Sequence, residues 1–225
     1  MKTVWCLFDG SGIMGLPWAE RGAKVYCFNA DSGDHGEYKI RMEHPNIEYV
    51  NMWIDRDFAV KCESQGIPKP DIIFAFPSCT DLAHSGAKHE RADDALYISV
   101  DNAKMIEGLG ALYNCPWMVE NPVGKLSTLW RKPDFYFHPC EFGGYMRPKE
   151  EVWHQKMPRQ DAYNKKTCIW CGNGFKEPER KPVESIGFFW AWKYLGGKSE
   201  RTKMLRSITP RGFARAVFEA NWFYK

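Results

Sequence analysis

The chain has 225 residues, which fits one compact domain with at most a small appendage. Its 44% hydrophobic content supports a sizeable core and excludes a disordered chain. A net charge of +3 permits a polyanionic partner without requiring one, so a nucleic-acid binder of this composition must gather its basic residues on one face. No apolar run reaches the roughly 20 residues of a membrane span, and the N terminus lacks a secretory layout. We therefore expect a cytoplasmic protein that has no membrane partner, with its eight cysteines not in disulfides.

Short apolar strands alternate with helical segments along the first half of the chain. Strands are predicted over residues 3–8, 23–29, 47–53, 71–76 and 117–119. Helices are predicted over residues 13–21 and 92–113 and after Thr209-Pro210. The first of these helices should start at or near Pro17, because proline is tolerated only in the first turn. This alternation predicts an α/β layer fold with a mainly parallel sheet.

A glycine-rich turn, Asp9-Gly10-Ser11-Gly12, follows the first predicted strand. Glycines let a backbone approach a ligand closely, and the helix that follows offers free N–H groups. Asp31 comes after the second strand, where an acidic side chain can hold a ribose diol. Because any tight strand-to-helix turn uses glycine, these residues alone do not distinguish a nucleoside-cofactor site from a structural turn.

Two later strand ends carry a thiol and a carboxylate. Cys79 ends the segment Phe76-Pro77-Ser78-Cys79, and Glu120 opens the segment Glu120-Asn121-Pro122. The carboxyl ends of parallel strands face one cleft, where a thiolate can act as a nucleophile and a carboxyl group as an acid. Taken singly, each residue has a simpler interpretation: Cys79 is a half-buried thiol in a proline turn, and Glu120 caps a loop. Methylation at C5 of cytosine needs both groups, because C5 becomes nucleophilic only after a thiolate adds to C6 while an acid stabilises N3.

The ordered set of motifs resembles that of the DNA (cytosine-5)-methyltransferase family, above all its small bacteriophage-encoded members. The matching segments are Phe8 to Gly12, Pro77 to Cys79, Glu120 to Pro122, residues 81–104 as the mobile loop and its helix, and residues 135–138 as the sixth strand. The resemblance covers most of residues 3–171, and residues 207–217 with Asn221 look like the final motif. It implies a Rossmann-like methyltransferase fold with a mainly parallel central sheet and a reduced or absent target-recognition domain.

The resemblance also implies a role for each matching residue. Cys79 would attack C6 of a flipped-out cytosine in DNA, Glu120 would contact N3 and the exocyclic amine, and Lys165 with Lys166 stands where the family has paired arginines. The residues implied around S-adenosylmethionine are Phe8, Asp9, Gly10, Gly12, Asp31 at the ribose, Asp55 at the adenine, and Pro77. The candidate DNA contacts are Ser85 and Gly86 on a loop that closes over the base, Lys88, Lys198 and Arg201.

Two departures from the family pattern bear on recognition. Pro-Ser-Cys replaces the usual Pro-Pro-Cys or Phe-Pro-Cys, and only residues 172–205 are left where typical members carry a recognition domain. We therefore predict a catalytic domain over residues 1–171, a reduced recognition segment over 172–205, and a C-terminal helix over 206–225. Sequence recognition should be short or nearly absent. The aromatic and basic residues between 188 and 206 are either a DNA surface or a tryptophan core with solvated lysines.

A cysteine–histidine group could hold structural zinc. His138 and Cys140 together with Cys168 and Cys171 offer four nitrogen and sulfur ligands, and Cys-x-x-Cys-Gly is the form of a zinc knuckle. The alternative is buried thiols beside a hydrogen-bonded histidine.

Three functions remain open from the sequence. The first is a phage-type DNA cytosine C5 methyltransferase that protects a genome from host nucleases. The second keeps the thiol addition but uses another one-carbon donor, such as a folate or a modified adenosylmethionine, or a nucleotide substrate. The third is a non-catalytic DNA- or protein-binding module, against which the presence of both Cys79 and Glu120 argues.

Overall fold

A computed structural model describes residues 1–30, 40–78, 93–197 and 199–222. Within these ranges the chain folds into one seven-stranded sheet with helices on both faces. The strands are β1 (Thr3–Leu7), β2 (Lys24–Asn29), β3 (Ile47–Asn51), β4 (Ile72–Ala75), β5 (Trp117–Pro122), β6 (Phe135–Phe137) and β7 (Thr167–Gly172). The helices are α1 (Leu16–Glu20), α2 (Phe58–Ser64), α3 (Asp93–Tyr113), α4 (Leu126–Leu129), α5 (Trp190–Tyr194), α6 (Glu200–Ser207) and α7 (Arg211–Asn221).

The strands lie in the order β3-β2-β1-β4-β5-β7-β6. The first five are mutually parallel, whereas β7 runs antiparallel to both β5 and β6. The predicted α/β fold with a mainly parallel sheet is therefore confirmed. The arrangement departs from the dinucleotide-binding order 3-2-1-4-5-6 because one antiparallel strand is inserted near the edge.

Side chains of β1 alternate between two hydrophobic layers, as the period of a strand requires. Val4 and Cys6 join the layer formed with α1, α5, α6 and α7. Trp5 and Leu7 join the opposite layer, formed with α2, α3 and α4. Both layers are buried, which explains why β1 and β4 are continuous apolar runs. The core therefore fixes the carboxyl ends of the central strands from both sides.

The first helix is shorter than predicted. It begins at Leu16, which confirms the predicted start at or near Pro17; Gly12 adopts a positive φ of 70° and the next three residues form a turn. Pro17 lies in the first turn of α1, as its missing N–H allows. The short helices α2, α4, α5 and α6 were not predicted. No described helix is both long and apolar enough to span a lipid bilayer.

The C-terminal helix α7 packs under the strand edge formed by β6. Phe213 stacks on Phe137 with ring centroids 4.0 Å apart. The N–H of Gly212, in its first turn, donates to the buried Asp161 carboxylate at 3.2 Å. Burial raises the pKa of that carboxyl to about 6. Ser199 caps helix α6, because its hydroxyl accepts the N–H of Thr202 at 3.2 Å. Since α6 extends from Glu200 to Ser207, residue 206 lies inside α6 rather than in the C-terminal helix.

Candidate active site

The strand register brings the predicted motifs to one edge of the sheet. Leu7 on β1 is level with Ala75 on β4, which in turn is level with Val119 on β5. The Phe76 N–H continues the ladder by donating to the Leu7 carbonyl at 3.0 Å. Three segments therefore begin at the same level along the strands of the sheet: the glycine turn, Phe76 to Ser78, and the residues from Glu120 onward. In an open parallel sheet this edge is where ligands bind.

The glycine turn is closed by its own aspartate. Asp9 is buried, and its Oδ1 accepts hydrogen bonds from the Ser11 N–H at 2.8 Å, the Ser11 hydroxyl at 2.8 Å and the Gly12 N–H at 3.0 Å. The Ser11 hydroxyl oxygen also accepts the Ile13 N–H at 3.3 Å. Phe8 turns into the loop with a φ of 57°, a left-handed conformation that is uncommon for a side-chain-bearing residue. Three consecutive N–H groups of the turn are thus satisfied within it.

Tyr49 on β3 supports the turn from below. Its hydroxyl lies 3.1 Å from the Ser11 carbonyl and 2.8 Å from the Met42 carbonyl, and the Met42 N–H donates to the Ser11 carbonyl at 2.8 Å. The Arg41 guanidinium covers the Tyr49 ring at 3.6 Å. A Cβ on Gly12 would lie only 2.3 Å from the Tyr49 hydroxyl. Glycine at position 12 is therefore required by both its φ and its neighbour.

Glu120 is a partly exposed residue on β5 whose carboxyl group is desolvated. This desolvation raises the pKa of the carboxyl group, and the positive charge of Lys165 opposes that rise. The Lys165 ammonium donates to the Arg206 carbonyl at 3.1 Å and lies 5.6 Å from the centre of the Phe189 ring. Within the described part of the chain, Glu120 forms no ion pair. A carboxyl group in this setting can hold a proton and donate it.

Asn121 joins β5 to the segment that follows β4. It is 1% exposed, and its side-chain N–H donates to the buried Pro77 carbonyl at 3.0 Å. Its Oδ1 is buried and has no hydrogen-bond partner among the described residues. Pro77 stands two positions before Cys79, so this bond fixes the chain just ahead of the predicted nucleophile. Sequence reasoning missed Asn121.

Several predicted site residues lie outside the described residues: Asp31, Cys79, Ser85, Gly86, Lys88 and Lys198. Asp55 is described and exposed; its carboxylate forms an ion pair with Lys61 at 2.5 Å, which lowers the pKa of the Asp55 carboxyl. Arg201 is exposed on α6. The two lysines after Asn164 diverge: the Lys165 ammonium bonds the Arg206 carbonyl and its charge acts on Glu120, whereas the Lys166 ammonium lies 4.5 Å from the Tyr136 ring centre.

The structure does not support the candidate zinc site and favours the alternative of buried thiols, because the four residues do not come together. Cys168 and Cys171 lie three positions apart on β7, so they point to opposite faces and join different hydrophobic layers. The Cys140 thiol instead donates to the Asn164 side-chain oxygen at 3.4 Å. His138 precedes a 3-10 helix, and its N–H donates to Glu141 at 2.6 Å.

Another cysteine group lies beneath the glycine turn. Cys6 on β1 and Cys27 on β2 are register neighbours, and with Asp9 they place three potential metal-ligand atoms within 4.8 Å of one another. Burial raises the pKa of the Cys6 thiol, and the hydrogen bond to Cys6 followed by burial raises that of Cys27. Both groups are therefore thiols at neutral pH, and Asp9 already binds the turn.

Comparisons with known proteins leave the family open. No protein-family model matches the sequence, and no curated protein matches it. Among solved structures, the chain is similar to a protein described as a DNA modification methyltransferase encoded within an Escherichia coli prophage, with a TM-score of 0.45 and 14% identity over 82% of this chain and 53% of that one. It is also similar to the Bordetella bronchiseptica enzyme WbmH in complex with NAD+, with a TM-score of 0.33 and 18% identity over 51% of this chain and 36% of that one. The chain thus spans about half the length of the first, and neither likeness decides its function.

Proposed function

We propose that the protein transfers a methyl group from S-adenosylmethionine to C5 of a cytosine in DNA, with Cys79 as the nucleophile and Glu120 as the acid. The observation that carries the proposal is the desolvated carboxyl group of Glu120 on the same strand end as Asn121, which holds the chain just ahead of Cys79. The sheet order supports the proposal as well. The seven-stranded and mainly parallel sheet agrees with the Rossmann-like methyltransferase fold that the motif resemblance implies.

The glycine turn fits a cofactor without phosphate groups. In a dinucleotide-binding turn, free N–H groups bind the pyrophosphate. Here the N–H groups of Ser11 and Gly12 are taken by the Asp9 carboxylate, whose negative charge also disfavours an anion. A ligand with a cationic sulfonium and amino group suits this turn. Phe8, Asp9, Gly10 and Gly12 would hold S-adenosylmethionine, which when bound supplies an electrophilic methyl group.

The chain's own residues would then act in sequence. The Cys79 thiolate forms a bond to C6 of the cytosine, while protonated Glu120 donates a hydrogen bond to N3, where negative charge collects. C5 becomes nucleophilic and takes up the methyl group. The C5 proton then passes to a base, the Cys79–C6 bond breaks, and the thiolate leaves. A raised pKa suits Glu120 to this role, because only the acid form donates to N3.

A trapping experiment tests the proposal. An oligonucleotide that contains 5-fluorocytosine has no C5 proton to lose, so a covalent adduct with Cys79 should accumulate in the presence of S-adenosylmethionine. Mass spectrometry should detect an increase equal to the oligonucleotide plus a methyl group. The absence of an adduct across varied sequences would overturn the proposal. An adduct formed without methyl transfer would instead indicate another one-carbon donor.

The matched variants are Cys79→Ser and Glu120→Gln. Cys79→Ser should abolish the adduct while it leaves the unfolding transition unchanged, because the volume of the side chain hardly changes. Glu120→Gln keeps a hydrogen-bond donor but cannot supply a proton, so it should slow the reaction by about 10²-fold or more. Nucleoside mass spectrometry of DNA from cells that express the protein would identify the product directly.

A further inference from the structure

Helix α5 presents aromatic side chains to solvent beside its buried ones. Trp190 and Ala191 are buried in the core, whereas Trp192 is 66% exposed and Tyr194 is 45% exposed. A single exposed aromatic residue needs no explanation, but two large exposed rings on one five-residue helix indicate a contact surface. The core interpretation of this tryptophan cluster therefore holds for Trp190 but not for Trp192.

Lysines lie at cation–π distances from two aromatic rings of this segment, Phe188 and Tyr194. The Lys193 ammonium lies 4.3 Å from the ring centre of Phe188 and 5.7 Å from that of Tyr194. The Lys156 ammonium, from a distant part of the chain, lies 5.7 Å from the Tyr194 ring. We name these residues, together with Trp192, the aromatic–lysine surface. It combines stacking faces with positive charge.

The charge of this region is concentrated. Residues 186–206 contain five basic side chains and one acidic side chain, a net of +4, which exceeds the +3 of the whole chain. The remaining residues together carry a net of −1. The positive charge of the chain is thus concentrated in the stretch of sequence that also carries the exposed aromatic rings. Such a surface fits a polyanion that also has flat aromatic groups.

The aromatic–lysine surface adjoins the candidate active site. The Trp192 ring packs edge-on against Phe189, with ring centroids 5.6 Å apart. Phe189 in turn lies 5.6 Å from the Lys165 ammonium, whose charge acts on Glu120. One buried ring therefore separates Trp192 from the lysine of the site.

We infer that the aromatic–lysine surface binds an unpaired stretch of DNA, with Trp192 stacked on a base near the cytosine held at Glu120. This inference rests on the proposed function and names its substrate as single-stranded or locally opened DNA. Base–aromatic stacking with lysines along the backbone is how sequence-tolerant single-strand binders work. The base faces of a duplex are covered by their neighbours. A helix as short as α5, five residues long, also gives little length for reading a groove.

Binding of fluorescein-labelled oligo-dT of twelve residues, followed by anisotropy, tests the surface without the reaction, because this probe has no cytosine. Trp192→Ala should weaken binding about tenfold, whereas Trp192→Phe should retain most of it. Trp53→Ala is the matched control, since Trp53 is 70% exposed but follows β3 at the opposite edge of the sheet. Lys193→Gln should reduce the slope of log affinity against log salt by about 0.7, the value for one phosphate contact on a single strand.

The outcomes separate this inference from the proposed function. Equal affinity of Trp192→Ala and the unmodified protein for oligo-dT would overturn the stacking, and so would tighter binding of a twelve-base-pair duplex. Tighter binding of oligo-U would assign the surface to RNA and overturn the DNA assignment. The 5-fluorocytosine adduct, measured at saturating oligonucleotide, should still form with Trp192→Ala. If Trp192→Ala weakens oligo-dT binding and still forms the adduct, both claims are supported. If Trp192→Ala weakens oligo-dT binding but the unmodified protein forms no adduct, the binding surface is supported and the proposed methyl transfer is refuted.

Discussion

Substitution of Gly12 by alanine should be costly for two separate reasons that the structure makes measurable. At a φ of 70°, an L-residue loses about 1–2 kcal/mol relative to glycine. The new Cβ would also lie 2.3 Å from the Tyr49 hydroxyl, which must then move away from the carbonyls of Ser11 and Met42. Loss of that hydroxyl's hydrogen bonding adds about 1–2 kcal/mol. We therefore expect Gly12→Ala to lower the free energy of unfolding by about 3 kcal/mol.

A double-mutant cycle with Tyr49→Phe isolates the second cause. Tyr49→Phe alone should cost about 1–2 kcal/mol, because the hydroxyl's hydrogen bonds are lost. In the double variant the hydroxyl is already absent, so alanine at position 12 brings only the backbone strain. In urea unfolding experiments, the loss of stability in the double variant should therefore be about 1–2 kcal/mol smaller than the sum of the losses in the two single variants. Calorimetry should detect weaker S-adenosylmethionine binding by Gly12→Ala, since the turn that would hold the cofactor is displaced.

Gly22→Ala is the control for strain without a clash. Gly22 has a φ of 94° in the turn after α1, and a Cβ there meets nothing within 4 Å. It should cost only the backbone strain and leave cofactor binding unchanged. If Gly12→Ala and Gly22→Ala are equally destabilising, or if the cycle with Tyr49→Phe is additive, the clash with the tyrosine does not operate and the reasoning fails.

Three further predictions concern titration and loop position. Burial raises the pKa of Asp161 from its ordinary 3.8 to about 6, so the folded state retains a proton that the unfolded chain loses, and stability should fall as pH rises from about 4 to 6. Asp161→Asn should remove this pH dependence in urea titrations and raise the free energy of unfolding by up to about 3 kcal/mol at pH 7. An unchanged pH dependence in the variant would contradict this prediction. Lys165→Gln removes the charge that lowers the pKa of Glu120, so the alkaline limb of the adduct-formation rate should move to higher pH, and a shift to lower pH would refute the coupling. Asn121→Ala releases the Pro77 carbonyl and should slow adduct formation about tenfold at saturating cofactor. Its urea unfolding transition should remain cooperative, and loss of that transition would indicate general unfolding instead.

The sheet was predictable because its strands are covered on both faces. Continuous apolar runs such as the one ending at Phe76, each followed by a turn, identify strand ends with little competing interpretation. Parallel alignment then places the chemistry of those ends on one edge. The closure of the glycine turn also had a signal, since Asp9 followed by Ser11 and Gly12 is the pattern of an aspartate that binds backbone N–H groups two and three residues onward.

Strand periodicity explains why the candidate zinc ligands do not come together. Knuckle spacing brings two cysteines together in a turn, but residues 168 and 171 lie within β7, where an odd spacing puts them on opposite faces. Contacts between distant residues had no sequence signal. Asn121 is 44 positions from Pro77, and the neighbouring thiols of Cys6 and Cys27 depend on the pairing of β1 with β2. Register and side-chain reach decide such contacts, and neither follows from local pattern.

The setting of Glu120 is a compromise that an acid catalyst needs. A direct ion pair with a lysine would keep the carboxyl group ionised, so that it could not donate to N3 of a pyrimidine. Complete isolation in an apolar pocket would keep it protonated but would leave no positive charge nearby. Lys165 avoids both extremes, because its ammonium is held by the Arg206 carbonyl at 3.1 Å and over the Phe189 ring while its charge still acts on Glu120. The end of α6 and the residue before α5 thus hold the charge that opposes the raised pKa of Glu120, which links the segment that presents Trp192 to the chemistry proposed for Glu120 and Cys79.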